Sequence, residues 1–402
     1  MFKWRLGLRE NALIDIMGFD ITEEYMYFSA QMANGIFRMN MSTGGIEHLI
    51  MSEKDKPTDG FLYSDVKLDG KKVWCIPYAS KEIMIFDIDT KTCEFISIPK
   101  LSGNGRDNVK FNSLYEYEEW FILIPSEYPA IIKVNKKTYE VNFIKWEEKL
   151  LQKYPDFYEV NNFLAICADF EVVNDSMYLL AENVVIKYDM KSDNFTFIRI
   201  NKEAKLYCGI TRYYDEFILL DRADSELVIW NEESNCIRKL DVNLGYRGLN
   251  AQDDGCPLGI FSVNEQIVVV QAKADYLVLL DEKWRVRKIQ LNVSGNSRLD
   301  LKFERYKFGE SKLILPICEK NQIMIVDTRD WSQKLLDFDT RTLEFSSVRE
   351  KMEEEYIELH ENPVYYQLEH FIDHIELKNL NKVYSKKTQS NIGKQIYENC
   401  KV

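Results

Sequence analysis

One short phrase recurs seven times along this 402-residue chain and constrains its fold more than any other feature. In each copy a run of apolar residues ends in Asp or Asn, a polar turn follows, and a second strand-like run begins. The residues that end the apolar runs are Asn40, Asp87, Asn135, Asp189, Asn231, Asp281 and Asp327. Their average spacing of about 48 residues lies between the WD40 and kelch repeat lengths and is typical of a β-propeller blade.

The residues around each copy supply the other strands of a blade. A dense apolar segment precedes the phrase, as at 73–77 and 120–125, and an outer strand-like segment follows it, as at 94–98. We therefore predict an all-β fold: a β-propeller of about seven four-stranded blades with a short C-terminal helical tail. The Asp or Asn is expected to form the turn by accepting bonds from the next backbone N–H groups. Residues 146–154 indicate one or two inserted helical turns.

Several details of this architecture stay open at the level of sequence. Six or eight blades stay open as alternatives to seven, and residues 2–6 are a candidate closing strand. Residues 335–345 repeat the phrase of the second blade, so the last blade could extend further than the spacing suggests.

The predicted domains are the propeller at 1–348 and the helical tail at 349–402. Apolar residues between 366 and 377 suit an amphipathic helix. Such a helix would either pack on the side or rim of the propeller or serve as a docking or dimerising element.

Two resemblances add to this interpretation. Residues 73–77 followed by 83–87 resemble blades of the kelch-like and related bacterial propellers. That resemblance implies the fold and no activity, because propellers host many unrelated functions. Residues 391–400 are similar to the last residues of proteins from bacterial surface-polysaccharide biosynthesis clusters, which implies only the kind of operon that the protein serves.

Composition and charge favour a cytoplasmic protein that does not bind nucleic acid. The formal net charge is −13, which disfavours binding to nucleic acid or to an anionic membrane surface. Residues 1–20 carry charges throughout and no signal-like apolar segment, and no window is long and apolar enough to span a membrane. Eight Cys are spread without a CxxC pair, which is typical of buried, reduced thiols.

The residues that usually carry catalysis are scarce in the predicted propeller. Its only histidine is His48, in an outer strand, whereas His360, His370 and His374 lie in the tail. His370 and His374 share a helix face but lack a third ligand, so no metal and no cofactor is predicted. Asp253 and Asp254 form a carboxylate pair that could be catalytic, calcium-binding or simply part of a solvated loop.

Three Gly/Asn/Arg loops supply the candidate ligand-binding residues. Residues 102–106, 245–255 and 294–298 each connect an outer strand to the inner strand of the next blade, so they should meet on one face of the ring. Arg supplies forked donors and Gly permits close backbone approach, although both are also ordinary in turns. The predicted ligand-binding residues are Arg106, Asn108, Arg212, Arg247, Asn250 and Arg298. Other inner-strand residues expected to face the channel are Asp20, Asp65, Asn112, Asp169 and Thr211.

These observations favour a non-catalytic binding or scaffold protein that presents a rigid face to a protein or glycan partner. A link to surface-polysaccharide biosynthesis follows from the tail resemblance alone. The alternative is a carboxylate-based lyase or hydrolase that acts on sugars. The oligomeric state stays open.

Overall fold

The structure is a computed structural model. It describes residues 14–31, 34–55, 59–101, 109–161, 165–201, 205–222, 226–244, 257–293, 301–318 and 320–339. Within these residues the chain forms seven four-stranded antiparallel sheets arranged as the blades of a propeller. The prediction of an all-β propeller with about seven blades is therefore confirmed.

Each blade is one continuous stretch of chain whose strands pair in sequence order. Blade 1 contains β1 (Ile16–Ile21), β2 (Tyr25–Ala30), β3 (Ile36–Asn40) and β4 (Ile46–Ile50). Blade 2 contains β5 (Tyr63–Asp69), β6 (Lys72–Pro77), β7 (Glu82–Asp87) and β8 (Thr92–Ser97). Blade 3 contains β9 (Phe111–Tyr117), β10 (Trp120–Pro125), β11 (Ala130–Asn135) and β12 (Val141–Lys145).

The remaining blades repeat this plan. Blade 4 contains β13 (Ile166–Val173), β14 (Ser176–Ala181), β15 (Val184–Asp189) and β16 (Asn194–Arg199). Blade 5 contains β17 (Tyr207–Tyr213), β18 (Glu216–Asp221), β19 (Glu226–Asn231) and β20 (Cys236–Lys239). Blade 6 contains β21 (Pro257–Val263), β22 (Gln266–Gln271), β23 (Tyr276–Leu280) and β24 (Val286–Gln290). Blade 7 contains β25 (Lys307–Gly309), β26 (Lys312–Ile317), β27 (Gln322–Asp327) and β28 (Gln333–Asp337).

The hydrophobic core lies between neighbouring blades. Second and third strands are almost entirely buried because both of their faces pack against another sheet, whereas fourth strands such as β20 are exposed. Trp74 of β6 meets Phe121 of β10 edge to face, with ring centroids 4.9 Å apart. Burial on both faces explains why these segments read as continuous apolar runs rather than alternating ones.

The Asp and Asn residues that end the third strands form turns, as predicted. The Oδ1 of Asn135 accepts bonds from the backbone N–H groups of Lys137 at 2.9 Å and Thr138 at 3.0 Å. Each turn then closes through a residue in the left-handed region, for example Tyr139 with φ 61°. This regular turn keeps the third and fourth strands of every blade in register.

The predicted helical insertion is also confirmed. Helix α1 (Glu147–Lys153) follows β12, and the short α2 (Phe157–Val160) leads towards blade 4. Trp146 and Leu150 are fully buried and join the apolar cluster between blades 3 and 4. The insertion thus adds core to one inter-blade seam.

Ring closure joins blade 7 to blade 1 by packing. The rings of Phe28 and Phe338 stack 6.2 Å apart, and Gly45 forms a single parallel bridge with Asp339. Within the part of the chain that the structure describes, no blade shares strands from both ends of the sequence. Leu335 and Leu336 belong to β28. Residues 2–6, the predicted boundary at 348 and the tail at 349–402 lie outside the described residues.

Candidate functional site

The first strands of the blades stand side by side around the axis of the ring, and we call the space that they enclose the channel. The inner-strand residues predicted from the sequence all lie on these strands. They are Asp20 on β1, Asp65 on β5, Asn112 on β9, Asp169 on β13, and Thr211 and Arg212 on β17.

A charged cluster in the channel joins blade 7 to blades 1 and 2. The Nζ of Lys307 donates to the backbone oxygen of Phe19 at 2.8 Å. It also lies 3.6 Å from Oδ1 of Asp20 and 3.5 Å from Oδ1 of Asp65. Lys67 adds a second ammonium group 3.3 Å from Oδ2 of Asp20. One lysine thus holds two carboxylates from two different blades.

A second polar group crosses the channel from blade 4. Oδ2 of Asp169 accepts bonds from the backbone N–H of Ile260 at 2.9 Å and from the hydroxyl of Tyr306 at 2.8 Å. The side chain reaches past Gly209 of blade 5, where an added Cβ would lie 3.0 Å from the same oxygen. A Cβ on Gly259 would overlap both Asp169 and Tyr306. The two glycines therefore leave the space that this crossing occupies.

The same carboxylate-to-backbone contact recurs between blades. Oδ2 of Asp20 accepts a bond from the N–H of Leu68 at 3.0 Å, and Oε2 of Glu171 accepts one from the N–H of Arg212 at 2.9 Å. Asp20 and Glu171 hold the same position in their first strands, opposite Tyr27 and Tyr178. Each bond caps an N–H on the free edge of the next first strand, which would otherwise face the channel.

Burial sets the electrostatics of the channel. It raises the pKa of Asp169 to about 7, although the bonds from Ile260 and Tyr306 oppose that shift. Burial lowers the pKa of Lys307, but the attraction of Asp65 and Asp20 outweighs it and leaves that pKa above its ordinary value. Lys307 is therefore held as a cation, and burial brings the pKa of Asp169 close to neutral pH.

The raised pKa of Asp169 makes stability depend on pH. Between about pH 4 and pH 7 the unfolded chain has released this proton while the folded chain retains it, so stability falls as pH rises through that window. Asp169→Asn keeps an acceptor but has no charge to bury. We expect the free energy of unfolding of Asp169→Asn minus that of wild type to rise by about 2 kcal/mol from pH 4 to pH 7. This value is smaller than the pKa shift alone would give, because solvent reaches the channel and screens the charge.

Urea unfolding of both proteins at pH 4, 5.5 and 7 measures this difference. Asp215→Asn is the matched control, because the Asp215 side chain is 99% exposed and should give a flat difference. A flat difference for Asp169→Asn as well would contradict the assignment.

His48, the histidine that the sequence places in the propeller, lies outside the channel. His48 lies in the outer strand β4, as predicted, and burial lowers its pKa to about 4. Among the described residues, no group of three or more His, Cys, Asp or Glu side chains could hold a metal ion. In the same residues no helix is long and apolar enough to cross a membrane.

Of the predicted ligand-binding residues, the structure describes Arg212 alone. It lies near the end of β17 that leads into the turn to β18, at the opposite end of the strand from the loop entering the blade. Its Nε donates to the backbone oxygen of Tyr214 at 2.9 Å. Outside the described residues lie Arg106, Asn108, Arg247, Asn250, Arg298, the pair Asp253 and Asp254, and the tail histidines His360, His370 and His374.

Sequence reasoning missed Lys307, Tyr306 and Glu171. A signal for Glu171 exists in the sequence. Phe19-Asp20-Ile21 and Phe170-Glu171-Val172 share one pattern, in which Phe is followed by an acidic residue and then by a β-branched residue. Aligning the repeats on their first strands, rather than on their third-strand turns, brings this pattern out. The same alignment places Lys307 at the position of Asp20, as a cation among acids.

Comparison with known proteins identifies the fold and nothing finer. No family model matches the chain, and no curated protein matches it. A virginiamycin B lyase from Staphylococcus aureus superposes with a TM-score of 0.54 at 11% identity, covering 77% of this chain and 94% of that chain. A streptogramin B lyase gives a TM-score of 0.55 at 12% identity, covering 80% and 94%.

A third similar structure is a chain of the mitotic checkpoint complex. Its TM-score is 0.51 at 10% identity, and the match covers 81% of this chain and 88% of that chain. At such identities a likeness shows a shared propeller fold alone, because this fold carries many unrelated functions.

Proposed function

We propose that this protein is a non-catalytic binding or scaffold protein whose propeller offers a rigid face to a protein or glycan partner. The observation that carries the proposal is the pairing inside the channel. Lys307, Asp20, Asp65 and Asp169 are each bonded to another blade. Groups used in this way brace the ring, and a braced ring loses little entropy when it binds a partner.

The partner face is proposed to be the one formed by the loops between outer and inner strands. Arg106, Arg247 and Arg298 belong to these loops, and guanidinium groups suit carboxylate, phosphate or hydroxyl ligands. A propeller chain in the mitotic checkpoint complex is a precedent for a protein partner. The similarity of residues 391–400 to surface-polysaccharide biosynthesis proteins supports a proposed link to that kind of operon. The kelch-like resemblance of residues 73–87 and a cytoplasmic location are proposed alongside it.

Affinity capture from the native host, with full-length protein as bait, tests the proposal. The test variant replaces Arg106, Arg247 and Arg298 with Ala. A matched control replaces Arg238, Arg287 and Lys334, three exposed cations of the outer strands. We expect wild type and control to capture the same specific partner in equal amounts. The test variant should capture at least about tenfold less of that partner. Equal capture by all three baits would contradict the proposed face.

A further bait that ends at residue 348 addresses the tail. Loss of the partner from this bait alone would assign docking to residues 349–402 rather than to the loops. Absence of any specific partner from wild type would contradict the scaffold function.

One observation favours the alternative of a carboxylate-based lyase or hydrolase acting on sugars. Asp169, with a pKa of about 7, lies 2.8 Å from the Tyr306 hydroxyl, and such a pair could exchange a proton with a substrate. Against it, the same carboxylate already accepts bonds from the Tyr306 hydroxyl and the Ile260 backbone N–H, which hold it within the ring. Sugar cleavage that is abolished by Asp169→Asn in a folded protein would establish the alternative.

A further inference from the structure

A small cavity lies between the turns that join the first and second strands of blades 5 and 6. Its volume is about 270 Å³, and its lining includes Arg212, Tyr213, Tyr214, Asn264 and Glu265. We propose that this cavity binds one neutral sugar ring, as the end unit of a glycan. The inference rests on the proposed binding function and adds a second contact site to it.

The backbone at Tyr214 is strained. Tyr214 adopts φ 54°, in the left-handed region that a bulky side chain rarely occupies. The corresponding turn positions of other blades hold small or polar residues, namely Gly70, Glu118, Asn174, Asn264 and Glu310. A bulky residue held there costs about 1 kcal/mol or more.

Burial offsets little of that cost, because Tyr214 is 59% exposed. Among the two-residue turns that join first and second strands in the described chain, Tyr214 alone places an aromatic ring on such a backbone, and this motivates a binding role.

The aromatic rings around the cavity are already fixed in place. Tyr213 meets Tyr214 edge to face with centroids 4.6 Å apart, and Trp284 lies 5.7 Å from Tyr213. The Tyr213 hydroxyl donates to the backbone oxygen of Glu265 at 2.9 Å, which ties the ring to the next blade. The exposed face of Tyr214 is therefore a preformed surface whose negative π cloud attracts the C–H groups of a sugar.

Polar groups beside this surface alternate between donors and acceptors. The Arg212 guanidinium donates one hydrogen bond to the backbone oxygen of Tyr214. It also lies 3.6 Å from the carboxylate of Asp215, whose side chain is 99% exposed. Asn264 donates from Nδ2 to the Thr328 backbone oxygen at 3.0 Å, which orients its Oδ1 as an acceptor. Glu265 adds an exposed carboxylate. Hydroxyl groups both donate and accept, so they match this mixture.

Charge and size narrow the ligand class. The cavity is lined by one guanidinium, that of Arg212, and one carboxylate, that of Glu265, and the Asp215 carboxylate lies 3.6 Å from Arg212. The site therefore carries no excess positive charge for a phosphate or an acidic sugar. Pockets for drug-sized ligands span about 300–1,000 Å³, so a cavity just below that range suits a single ring.

Saturation-transfer NMR on the full-length protein tests the site with four probes: the methyl glycosides of glucose, galactose and N-acetylglucosamine, and glucose 1-phosphate. The decisive variant is Tyr214→Asn, because Asn tolerates the left-handed backbone and should leave Tm unchanged or slightly higher. Phe143→Asn is the control, since Phe143 is an exposed aromatic ring, 39% exposed, on blade 3.

We expect at least one methyl glycoside to bind wild type and Phe143→Asn equally, and Tyr214→Asn to lose at least about tenfold of that affinity. Failure of all three methyl glycosides, preference for glucose 1-phosphate, or binding that survives Tyr214→Asn would each overturn the inference. Partner capture that depends on Arg106, Arg247 and Arg298 would then still support the proposed function, so the two failures are distinguishable.

Discussion

Replacing Lys307 with Met should lower the free energy of unfolding by about 2 kcal/mol. The change removes the cation that lies between Asp20 and Asp65 and leaves two carboxylates facing each other in the channel. Removing one partner from a fully buried pair costs about 3–5 kcal/mol. The smaller value applies because the Lys307 side chain is 35% exposed and Lys67 still contacts Asp20.

Denaturant unfolding at pH 7 measures this loss. Lys334→Met is the control, because it removes an exposed lysine from the same blade and should change stability by less than about 0.5 kcal/mol. Equal effects of the two substitutions would mean that the Lys307 cluster does not hold the ring closed.

Gly18→Ala should be more damaging still, with a loss of about 3 kcal/mol. An added Cβ would overlap the Cα of Asp65 and lie 2.6 Å from the backbone oxygen of Ser64. Both obstacles are backbone atoms of β5, so no side chain can turn away to make room, and blades 1 and 2 must separate. The same region is tied by Ser29, whose hydroxyl donates to the backbone oxygen of Tyr63 at 2.8 Å.

Gly309→Ala provides the matched control for this prediction. Gly309 lies in the first strand of blade 7, has nothing within 4 Å of an added Cβ, and has no left-handed φ. We expect its thermal midpoint to stay within a few degrees of wild type, whereas that of Gly18→Ala falls by several degrees more. Similar midpoints for the two variants would show that blades 1 and 2 are not packed as closely as described.

Most of the fold could be predicted from the sequence because a propeller repeats its local chemistry. Each third strand ends in a turn-forming Asp or Asn, such as Asn135, and this residue recurs at blade spacing. The apolar second and third strands are readable because they are buried on both faces. Ring closure could not be predicted from the sequence. It depends on packing between Phe28 and Phe338, which no local sequence pattern encodes.

The site was predicted only in part for a related reason. Asp20, Asp65 and Asp169 stand out as acids in first strands, and the structure places them in the channel network. Their partners come from distant blades: Ile260 is 91 residues from Asp169, and Lys307 is 242 residues from Asp65. No spacing rule links residues that meet only after the ring has closed.

We propose that the channel carboxylates brace the free edges of the first strands and are thereby withheld from chemistry. Amide hydrogen exchange tests it most directly at the N–H groups of Leu68, Leu114, Arg212 and Ile260, each bonded to a carboxylate of another blade. We predict protection close to that of second-strand amides. Exchange as fast as that of the exposed turn at Tyr214 would contradict the claim and favour a catalytic role for these carboxylates.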